Sequence, residues 1–264
     1  CSVMMGVPTY YTRLLSSSNF NRDTTANIRV FISGSAPLLE DTFNEFYLRT
    51  GHYILERYGM TETNIICSNP IEGKRRPGTV GLPLDGQNLR IVDDSFNNLP
   101  INEIGNIQVH GPNVFNGYWN LPDKTKEDFS ADNFFNTGDK GFIDQDGYLT
   151  IVGRSKDMII SGGENVSSIE VEDVLFSHVA IAEVAVIGVP HEKWGETVKA
   201  LVVLTEGQSA TEQELIEYCR EKMAHYKCPT SVEIRDELAR TATGKLQKFK
   251  LRSPYWEGMN KQIN

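Results

Sequence analysis

The order of a buried strand, a small-residue turn and a helix near the N-terminus most constrains how this chain can fold. The stretch "IRVFISGSAPL" predicts a buried strand over residues 28–33 that runs into a turn of small residues. A helix is predicted over residues 40–50, because Phe43, Phe46 and Tyr47 recur at helical spacing. The following "YILERYGMTET" predicts a second strand that ends in a loop. This order predicts an α/β layer whose strand-end loops carry the functional site.

The pattern of predicted strands, helices and turns changes twice along the rest of the chain. Over residues 78–153, short strand-like pieces separated by Gly, Pro, Asn and Asp turns predict a small antiparallel sheet or partial barrel. After "GRSKDMIISGGENVSS", two helical patterns alternate with three strands, and this pattern predicts a compact α+β unit. Ser167 or Ser168 is the expected N-cap of the first of these helices, and Thr211 that of the second. We place the boundary within residues 154–157, which gives domains 1–154 and 155–264.

Composition excludes several classes of protein. A formal net charge of −9 and a pI near 5.1 disfavour a general nucleic-acid binder. The longest apolar run, "AIAEVAVIGV", is interrupted by Glu183 and predicts a buried strand, so no membrane span is expected. The four cysteines form no CxxC pair and predict reduced thiols. We therefore expect a cytoplasmic protein, with the mitochondrial matrix as the alternative.

Two stretches in the first part of the chain could carry chemistry. We expect "ERYGMTET", residues 56–63, to lie on a strand-end loop. There the Glu62 carboxylate beside threonine hydroxyls suits Mg²⁺ with bound phosphates, and Tyr58 offers a flat face for a base. The alternative is a polar turn with a structural tyrosine. In "FFNTGDKG", Asp139 follows a glycine and suits a ribose diol, or it is an ordinary turn aspartate.

Two further stretches lie in the second part. In "GRSKDMIISGGENVSS", Arg154 suits phosphate or ribose oxygens, while Gly162 and Gly163 permit positive φ or the close approach of a ligand. The alternative is a β-hairpin with surface charges. In "RTATGKLQK", Lys245 is a mobile cation suited to phosphate, or merely solvated charge. This stretch is not a Walker loop, because Leu246 occupies the Ser/Thr position.

Taken in series, six stretches resemble the core motifs of the acyl-adenylate-forming superfamily, which includes acyl-CoA synthetases, peptide-synthetase adenylation domains and luciferases. They are "SGSAPL", "YGMTET", "GPNVFNGYW", "NTGD", "GYLTIVGRSKDMIISGGENVSSIEVE" and "RTATGKLQK", and the resemblance extends from Met4 to Lys248. Within the superfamily, "MMGVPTYYTRLL", "ILERYGMTET" and "EGKRRPGTVGLPL" look most like malonyl-CoA synthetases. The resemblance implies that the protein uses Mg²⁺ as a cofactor and ATP and coenzyme A as co-substrates. It also implies a small carboxylic acid as the substrate.

The resemblance also implies roles for individual residues. The catalytic group would be Lys245, which bridges the acyl carboxylate and the α-phosphate, with Thr61 at the α-phosphate and Glu62 on Mg²⁺. Arg13 is the candidate partner of the distal carboxylate of malonate, or else a surface helix residue. The remaining positions would line the nucleotide, acyl and pantetheine sites: Gly34, Ser35, Ala36, Tyr58, Gly59, Asp139, Arg154, Lys156, Gly162, Gly163 and Glu164.

The resemblance implies two domains that move. Residues 1–154 would be the C-terminal part of a large AMP-binding domain, and residues 155–264 a small mobile α+β lid. Lys156 matches the hinge of the family, and rotation about it would withdraw Lys245 after adenylation. The "SGGEN" loop would then meet the thiol of coenzyme A.

One expected part of the family is not found in this sequence. The Ser/Thr/Gly-rich loop ending in lysine, which grips the β- and γ-phosphates, precedes these motifs in the family. We therefore expect that the N-terminal half of the enzyme is missing and that this chain alone could be inactive. Other readings stay open: another acyl- or aryl-CoA synthetase, an adenylation domain that loads a carrier protein, or a non-catalytic truncated nucleotide-binding fragment.

Overall fold

The chain divides into two compact units, Cys1–Val152 and Gly153–Asn264. The computed structural model describes residues 1–241 and 244–257. The break between the units lies beside the boundary that the sequence suggests within residues 154–157. The fold is the mixed α/β architecture expected from the sequence, and each unit is described by itself below.

The first unit contains a five-stranded sheet in the order β1-β2-β3-β4-β5. The pairs β1–β2 and β2–β3 are parallel, whereas β3–β4 and β4–β5 are antiparallel. The strands are β1 (Val3–Gly6), β2 (Val30–Ser33), β3 (Leu55–Met60), β4 (Asn64–Ser68) and β5 (Leu82–Pro83). The helices on this part of the chain are α1 (Pro8–Leu15), α2 (Arg22–Thr25) and α3 (Glu40–Thr50).

Helix α3 has the bounds predicted from its apolar spacing. Phe43 and Phe46 are buried in a cluster with residues of α1 and β2, which is the hydrophobic burial that holds the helix on the sheet. Gly51 ends the helix in the left-handed conformation at φ 78°, which glycine adopts without steric cost. The third predicted apolar position, Tyr47, is instead 38% exposed and stacks on Tyr53 with ring centroids 3.9 Å apart.

The second sheet of this unit has the order β6-β7-β8-β9, as the turn-rich texture predicts. Its strands are β6 (Asn88–Val92), β7 (Gly105–His110), β8 (Phe135–Ile143) and β9 (Leu149–Arg154), and helix α4 (Pro122–Asp128) lies between β7 and β8 in the chain. The two pairs that involve β7 are antiparallel. One buried cluster joins this sheet to β3 and β4 through Tyr58, Ile66 and Ile107. The two sheets of the unit therefore share a core.

The second unit contains a sheet in the order β11-β10-β13-β12, with β14 parallel to β13 on a side branch. Its strands are β10 (Ile159–Ser161), β11 (Glu164–Val166), β12 (Ile181–His191), β13 (Gly195–Leu204) and β14 (Ser231–Ile234). Its helices are α5 (Ser168–Phe176), α6 (Glu212–Lys222) and α7 (Lys248–Trp256). Ser167 caps α5, and Thr211 caps α6 through a reciprocal capping box with Glu214.

The prediction that the apolar run around Glu183 forms a buried strand is confirmed, because the run lies in β12. Within residues 1–241 and 244–257, no helix has the length and hydropathy of a membrane span. All four cysteines carry free thiols. Burial raises the pKa of both Cys67 and Cys219 to about 12, so neither thiol ionises near neutral pH.

Candidate functional site

The carboxyl ends of β2 and β3 lie side by side and carry the first group of predicted residues. Ser33 pairs with Glu56 in the parallel register, which places Gly34 beside Arg57. A Cβ atom on Gly34 would lie 3.3 Å from the carbonyl oxygen of Arg57, so the turn needs a glycine or a shift of its neighbour. The turn then continues through the exposed Ser35, at φ 69°, and Ala36. Its exposed backbone is the kind of surface on which ligands bind at strand ends.

The buried carboxylate of Glu56 holds the far side of this turn. Glu56 is 5% exposed, and its Oε2 accepts a 2.9 Å hydrogen bond from the backbone nitrogen of Leu38. The sequence placed Glu56 on a strand-end loop, but it lies within β3. Its position in the strand lets it reach across to the turn after β2, and this contact fixes the turn next to β3.

Arg57 and Ser33 carry buried polar atoms without a partner at this edge. Within the part of the chain that the structure describes, neither Nε of Arg57 nor Oγ of Ser33 has a hydrogen-bond partner. Ser33 pairs with Glu56, so its side chain lies on the face opposite to Arg57 and the two atoms do not form one site. Buried polar atoms in native proteins are normally satisfied, so the unpartnered Nε of Arg57 beside Gly34 points to a ligand or water. A guanidinium is suited to a carboxylate or phosphate.

Tyr58 and Asp139 contact each other directly. The Tyr58 hydroxyl donates a 2.6 Å hydrogen bond to Oδ2 of Asp139, and both residues are buried. Burial, followed by the charge of Asp139, raises the pKa of Tyr58 well above its usual value, so the hydroxyl stays protonated. The sequence suggested a strand-end loop for Tyr58, but it lies within β3, where its ring joins the core.

Asp139 lies inside β8 rather than on a free turn. Asn136 pairs with Gln108 and Lys140 with Asn106, so three residues of β8 oppose the single residue Ile107 of β7. Such a bulge redirects side chains, and the left-handed Gly138 at φ 73° is part of it. The "NTGD" motif is therefore a bulge that directs Asp139 toward Tyr58.

The loop of the "GPNVFNGYW" motif supports the turn that carries Glu62. The backbone nitrogen of Phe115 donates to the Glu62 carbonyl at 2.8 Å, and Asn113 Nδ2 donates to the Thr63 carbonyl at 2.6 Å. The Tyr118 hydroxyl donates to Oε1 of Glu62 at 3.2 Å. Burial, together with the charge of Glu62, raises the pKa of Tyr118, so it remains a donor. Two of these hydrogen bonds fix the carbonyl and the carboxylate of Glu62, and the third fixes the carbonyl of Thr63.

The residues around Glu62 could hold Mg²⁺ only if phosphate oxygens and water supply most of its ligands. Within residues 1–241 and 244–257 no group of three or more His, Cys, Asp or Glu side chains could hold a metal ion. Mg²⁺ usually takes one or two carboxylates and completes its octahedron with water and substrate phosphate oxygens. Glu62 could supply the protein's carboxylate, with the exposed Thr61 beside it. Gly59 lets this turn close, because a Cβ there would lie 1.9 Å from the Asn64 carbonyl oxygen.

In the second unit, the "SGGEN" stretch forms a tight hairpin between β10 and β11. Gly162 and Gly163 have φ values of 61° and 92°, as the sequence suggests, which matches a two-residue turn with two left-handed positions. The backbone nitrogen of Gly162 donates to the Trp194 carbonyl at 3.0 Å. Glu164 is exposed at the start of β11. The stretch is therefore a β-hairpin, and this structure is compatible with a role of its glycines in the close approach of a ligand.

Arg154 and Lys156 lie at the start of this unit. Arg154 ends β9 and precedes the single 3₁₀ turn Ser155–Asp157. The Lys156 side chain is exposed, and its carbonyl accepts a 3.1 Å hydrogen bond from Arg252 of α7. Short 3₁₀ turns are frequent connectors between elements.

Lys245 lies on a small hairpin-like loop before α7. The backbone nitrogen of Lys245 donates to Thr241 Oγ1 at 3.0 Å, and its carbonyl accepts from the Thr241 nitrogen at 2.8 Å. The side chain of Lys245 is exposed. Residues 242 and 243 of the "RTATGKLQK" motif lie outside the described residues.

Arg13 is exposed in the last turn of α1, on the side away from the buried Tyr11 and Leu15. Among the described residues, no hydrogen bond or ion pair joins Arg13 to another predicted site residue. The sequence analysis missed Arg57 and Tyr118. Strand alternation could have found Arg57, since it places Arg57 on the opposite face from the buried Glu56 and Tyr58. The "GPNVFNGYW" motif was noted without a role, and only the tertiary contact to Glu62 reveals one.

Comparison with known proteins gives consistent matches over nearly the whole chain. The family model described as AMP-binding enzyme matches residues 1–119, and the AMP-binding enzyme C-terminal domain matches residues 170–245. A malonate–CoA ligase of Arabidopsis thaliana is 39% identical over 95% of this chain and 44% of its own length. A long-chain-fatty-acid–CoA ligase of Bacillus subtilis is 39% identical over 93% of this chain and 44% of its own.

A solved structure agrees with these matches. The crystal structure of ATP-bound MatB from Rhodopseudomonas palustris superposes with a TM-score of 0.94 at 48% identity, over 97% of this chain and 51% of that one. The chain thus spans about half the length of the relatives that it matches.

Proposed function

The chain belongs to the AMP-binding enzyme family, and on that premise we propose that it carries part of an ATP-dependent acid–CoA ligase. The reaction joins malonate or methylmalonate to coenzyme A. The carboxylate first attacks the α-phosphate of ATP, which gives an acyl-adenylate and pyrophosphate. The thiol of coenzyme A then attacks the acyl carbon, and AMP leaves. The free thiols of the chain support a reducing compartment such as the cytoplasm.

The observation that carries the substrate class is the unpartnered Nε of Arg57 beside Gly34. After one carboxylate of malonate is activated, the second still carries a charge that needs a cation in the acyl pocket. Arginine meets this need well, because its planar fork can contact both oxygens of a carboxylate. A pocket for a fatty acyl chain would place apolar side chains there. Arg13, the candidate from the sequence, is the second arginine to be tested.

The nucleotide half of the proposal rests on Tyr58 and Asp139. The Asp139 carboxylate accepts hydrogen bonds and suits a ribose diol, and its hydrogen bond from Tyr58 fixes its orientation. By resemblance the Tyr58 ring would stack on adenine through the 8% of the residue that is exposed. The turn of Gly34, Ser35 and Ala36 would line the adenine and acyl parts of the pocket.

The electrostatic half rests on Thr61, Glu62 and Lys245. Glu62 would hold Mg²⁺, which when bound draws charge away from the phosphates, and Thr61 would contact the α-phosphate. Lys245 would stabilise the negative charge that gathers between the acyl carboxylate and the α-phosphate. Rotation about Lys156 would precede the second half-reaction. Gly162, Gly163 and Glu164 would then lie beside the pantetheine arm of coenzyme A. Arg154 would contact the ribose or phosphate edge of the nucleotide.

Malonate-dependent ATP–pyrophosphate exchange tests this function. The complete gene product that contains these 264 residues is assayed with malonate, acetate, succinate and octanoate. We expect the fastest exchange with malonate, and we expect Lys245→Ala to lower exchange by roughly 10²- to 10³-fold while thioester formation from supplied malonyl-adenylate persists. Failure of every acid to support exchange, with nucleotide still bound, would favour the non-catalytic reading.

Two arginine variants locate the distal carboxylate. Arg57→Ala and Arg13→Ala are compared for malonate and for acetate, which has no second carboxylate. We expect Arg57→Ala to raise the KM for malonate by roughly 10- to 100-fold with little effect on acetate, because one charge-assisted pair is lost. Equal loss with both acids would remove the malonate assignment and leave a ligase of another acid.

A further inference from the structure

The loop that carries Lys245 is held closed by backbone hydrogen bonds at its base. The Gln247 nitrogen donates to the Ala239 carbonyl at 2.9 Å, and Arg240 and Leu246 form an antiparallel bridge. These bonds fix the two ends of the loop against each other. They do not by themselves determine how the loop is placed on the rest of the unit.

The guanidinium of Arg240 makes that connection. Its Nε and Nη2 donate to Oε2 of Glu183 on β12, at 3.3 and 2.8 Å. Its Nη1 donates to the Gly244 carbonyl at 2.7 Å. That carbonyl belongs to the peptide unit whose nitrogen is that of Lys245. One planar group therefore ties the peptide before Lys245 to β12, the strand at the end of the sheet order.

A second pair holds the start of α7, which follows the loop in the chain. Nζ of Lys248 lies 2.7 Å from Oε1 of Glu172 and 2.8 Å from Ser168 Oγ, and both charged side chains are mostly buried. Oε1 of Glu172 also accepts a 2.6 Å hydrogen bond from the backbone nitrogen of Val186, again on β12. Both anchors of the loop therefore lead to the same strand.

We propose that Glu183 and Arg240 are positioning residues for Lys245, an inference that rests on the role proposed above for that lysine. A lysine side chain is long and flexible, so only its backbone can be preset before substrate arrives. Glu183 orients Arg240, and Arg240 holds the Gly244–Lys245 peptide. This arrangement presents the ammonium group in the adenylation step and has no part in thioester formation.

The hydrogen bonds of Arg240 distinguish a positioning role from that of a simple ion pair with Glu183. Arg240 must donate to a carbonyl and to a carboxylate at the same time, and its rigid fork of five N–H donors can do both. A glutamate at position 240 could pair with an arginine at position 183, yet it has no proton to donate to the Gly244 carbonyl. The exchanged pair would restore the charge interaction without restoring the hold on Lys245.

The experiment compares five forms of the complete gene product: wild type, Glu183→Gln, Arg240→Ala, the double exchange Glu183→Arg with Arg240→Glu, and the control Arg220→Ala. Arg220 forms a 2.7 Å ion pair with Glu217 on the surface of α6 and is not part of the loop. For each form, ATP–pyrophosphate exchange, thioester formation from supplied malonyl-adenylate, thermal unfolding, and amide hydrogen exchange at Lys245 and Gln247 are measured.

We expect Arg240→Ala and Glu183→Gln to lower adenylation by roughly 10- to 100-fold, since misplacement of a catalytic group by about 1 Å has effects of this size. Thioester formation should stay near the wild-type rate. The double exchange should recover the melting temperature but not adenylation. Amide exchange at Lys245 and Gln247 should be faster in Arg240→Ala than in Arg220→Ala.

Three results would overturn the inference. They are full recovery of adenylation in the double exchange, equal loss of both half-reactions, or amide exchange in Arg240→Ala that matches the control. Absence of exchange with every acid in the wild type would instead remove the proposed function. The amide measurement would still decide whether Arg240 holds the loop.

Discussion

The Tyr58 hydroxyl lies 2.6 Å from Oδ2 of Asp139, although the two residues are 81 positions apart in the chain. The bond joins β3 of the five-stranded sheet to the bulge of β8 in the four-stranded sheet. Both side chains are almost fully buried, so the hydrogen bond is formed where water does not compete strongly. It brings the "YGMTET" and "NTGD" motifs into direct contact.

Replacing Tyr58 by phenylalanine should lower the stability of the protein. The change removes a hydrogen bond to a buried carboxylate, which contributes about 1.5–3 kcal/mol to the free energy of unfolding. Urea denaturation of the variant measures the loss. The matched control is Tyr148→Phe, because the Tyr148 hydroxyl makes only a 3.4 Å contact with the Lys74 carbonyl. Equal stability of Tyr58→Phe and wild type would show that the bond contributes nothing in solution.

Replacing Tyr118 by phenylalanine should weaken the use of Mg²⁺ more than it lowers the maximal rate. Tyr118 donates to Oε1 of Glu62, and hydrogen bonds to metal-binding carboxylates typically change metal affinity by about 10- to 100-fold. Titration of ATP–pyrophosphate exchange with Mg²⁺ gives the half-saturating concentration. The neighbouring Trp119, which is 89% exposed, supplies the control Trp119→Phe. An unchanged Mg²⁺ requirement would argue against Glu62 as the ligand.

Replacing Gly59 by alanine should disrupt the turn between β3 and β4. The new Cβ would lie 1.9 Å from the Asn64 carbonyl oxygen and 2.9 Å from Ile65 Cα, and both atoms are backbone. Relief of this overlap requires a shift of the strand pair, at a cost of about 3 kcal/mol or more. Thermal unfolding compares this variant with Gly73→Ala, where φ is 102° but the space is open. The control carries only left-handed strain of about 1–2 kcal/mol.

Stability contributed by Glu233 should disappear on acidification. Hydrogen bonds from Tyr255 and then Arg235 and Lys199 lower the pKa of Glu233 from 4.5 to about 2. Because the folded pKa lies below the unfolded one, the contribution is present above pH 4.5 and is lost as pH falls toward 2. The side chain is 38% exposed, so the effect should be about 1 kcal/mol at most and weaker in salt.

Melting temperatures of wild type and Glu233→Gln at pH 7, 5 and 3 check this prediction. The wild type should be more stable at pH 7, and the difference should shrink between pH 5 and pH 3. A difference that stays constant over this range would mean that Glu233 does not titrate with a lowered pKa.

Local patterns in the sequence determined many elements and their ends. Helix α3 has its predicted bounds, because its apolar spacing and the glycine that follows it are both local signals. Thr211 caps α6 as expected, because the capping box is complete within four residues. The bounds of β2 were less accurate: the strand begins at Val30 rather than at residue 28, since pairing partners decide where a strand starts.

The sequence also determined the family and the residues that carry its motifs, because the order of motifs along the chain is itself a sequence property. Only the tertiary structure decided how those residues meet. The bulge that turns Asp139 toward Tyr58 depends on the register between β7 and β8. The contacts of Tyr118 with Glu62 and of Arg240 with Glu183 join residues 56 and 57 positions apart. No local pattern specifies such pairs, because long-range contacts form only when packing and strand register bring distant segments together.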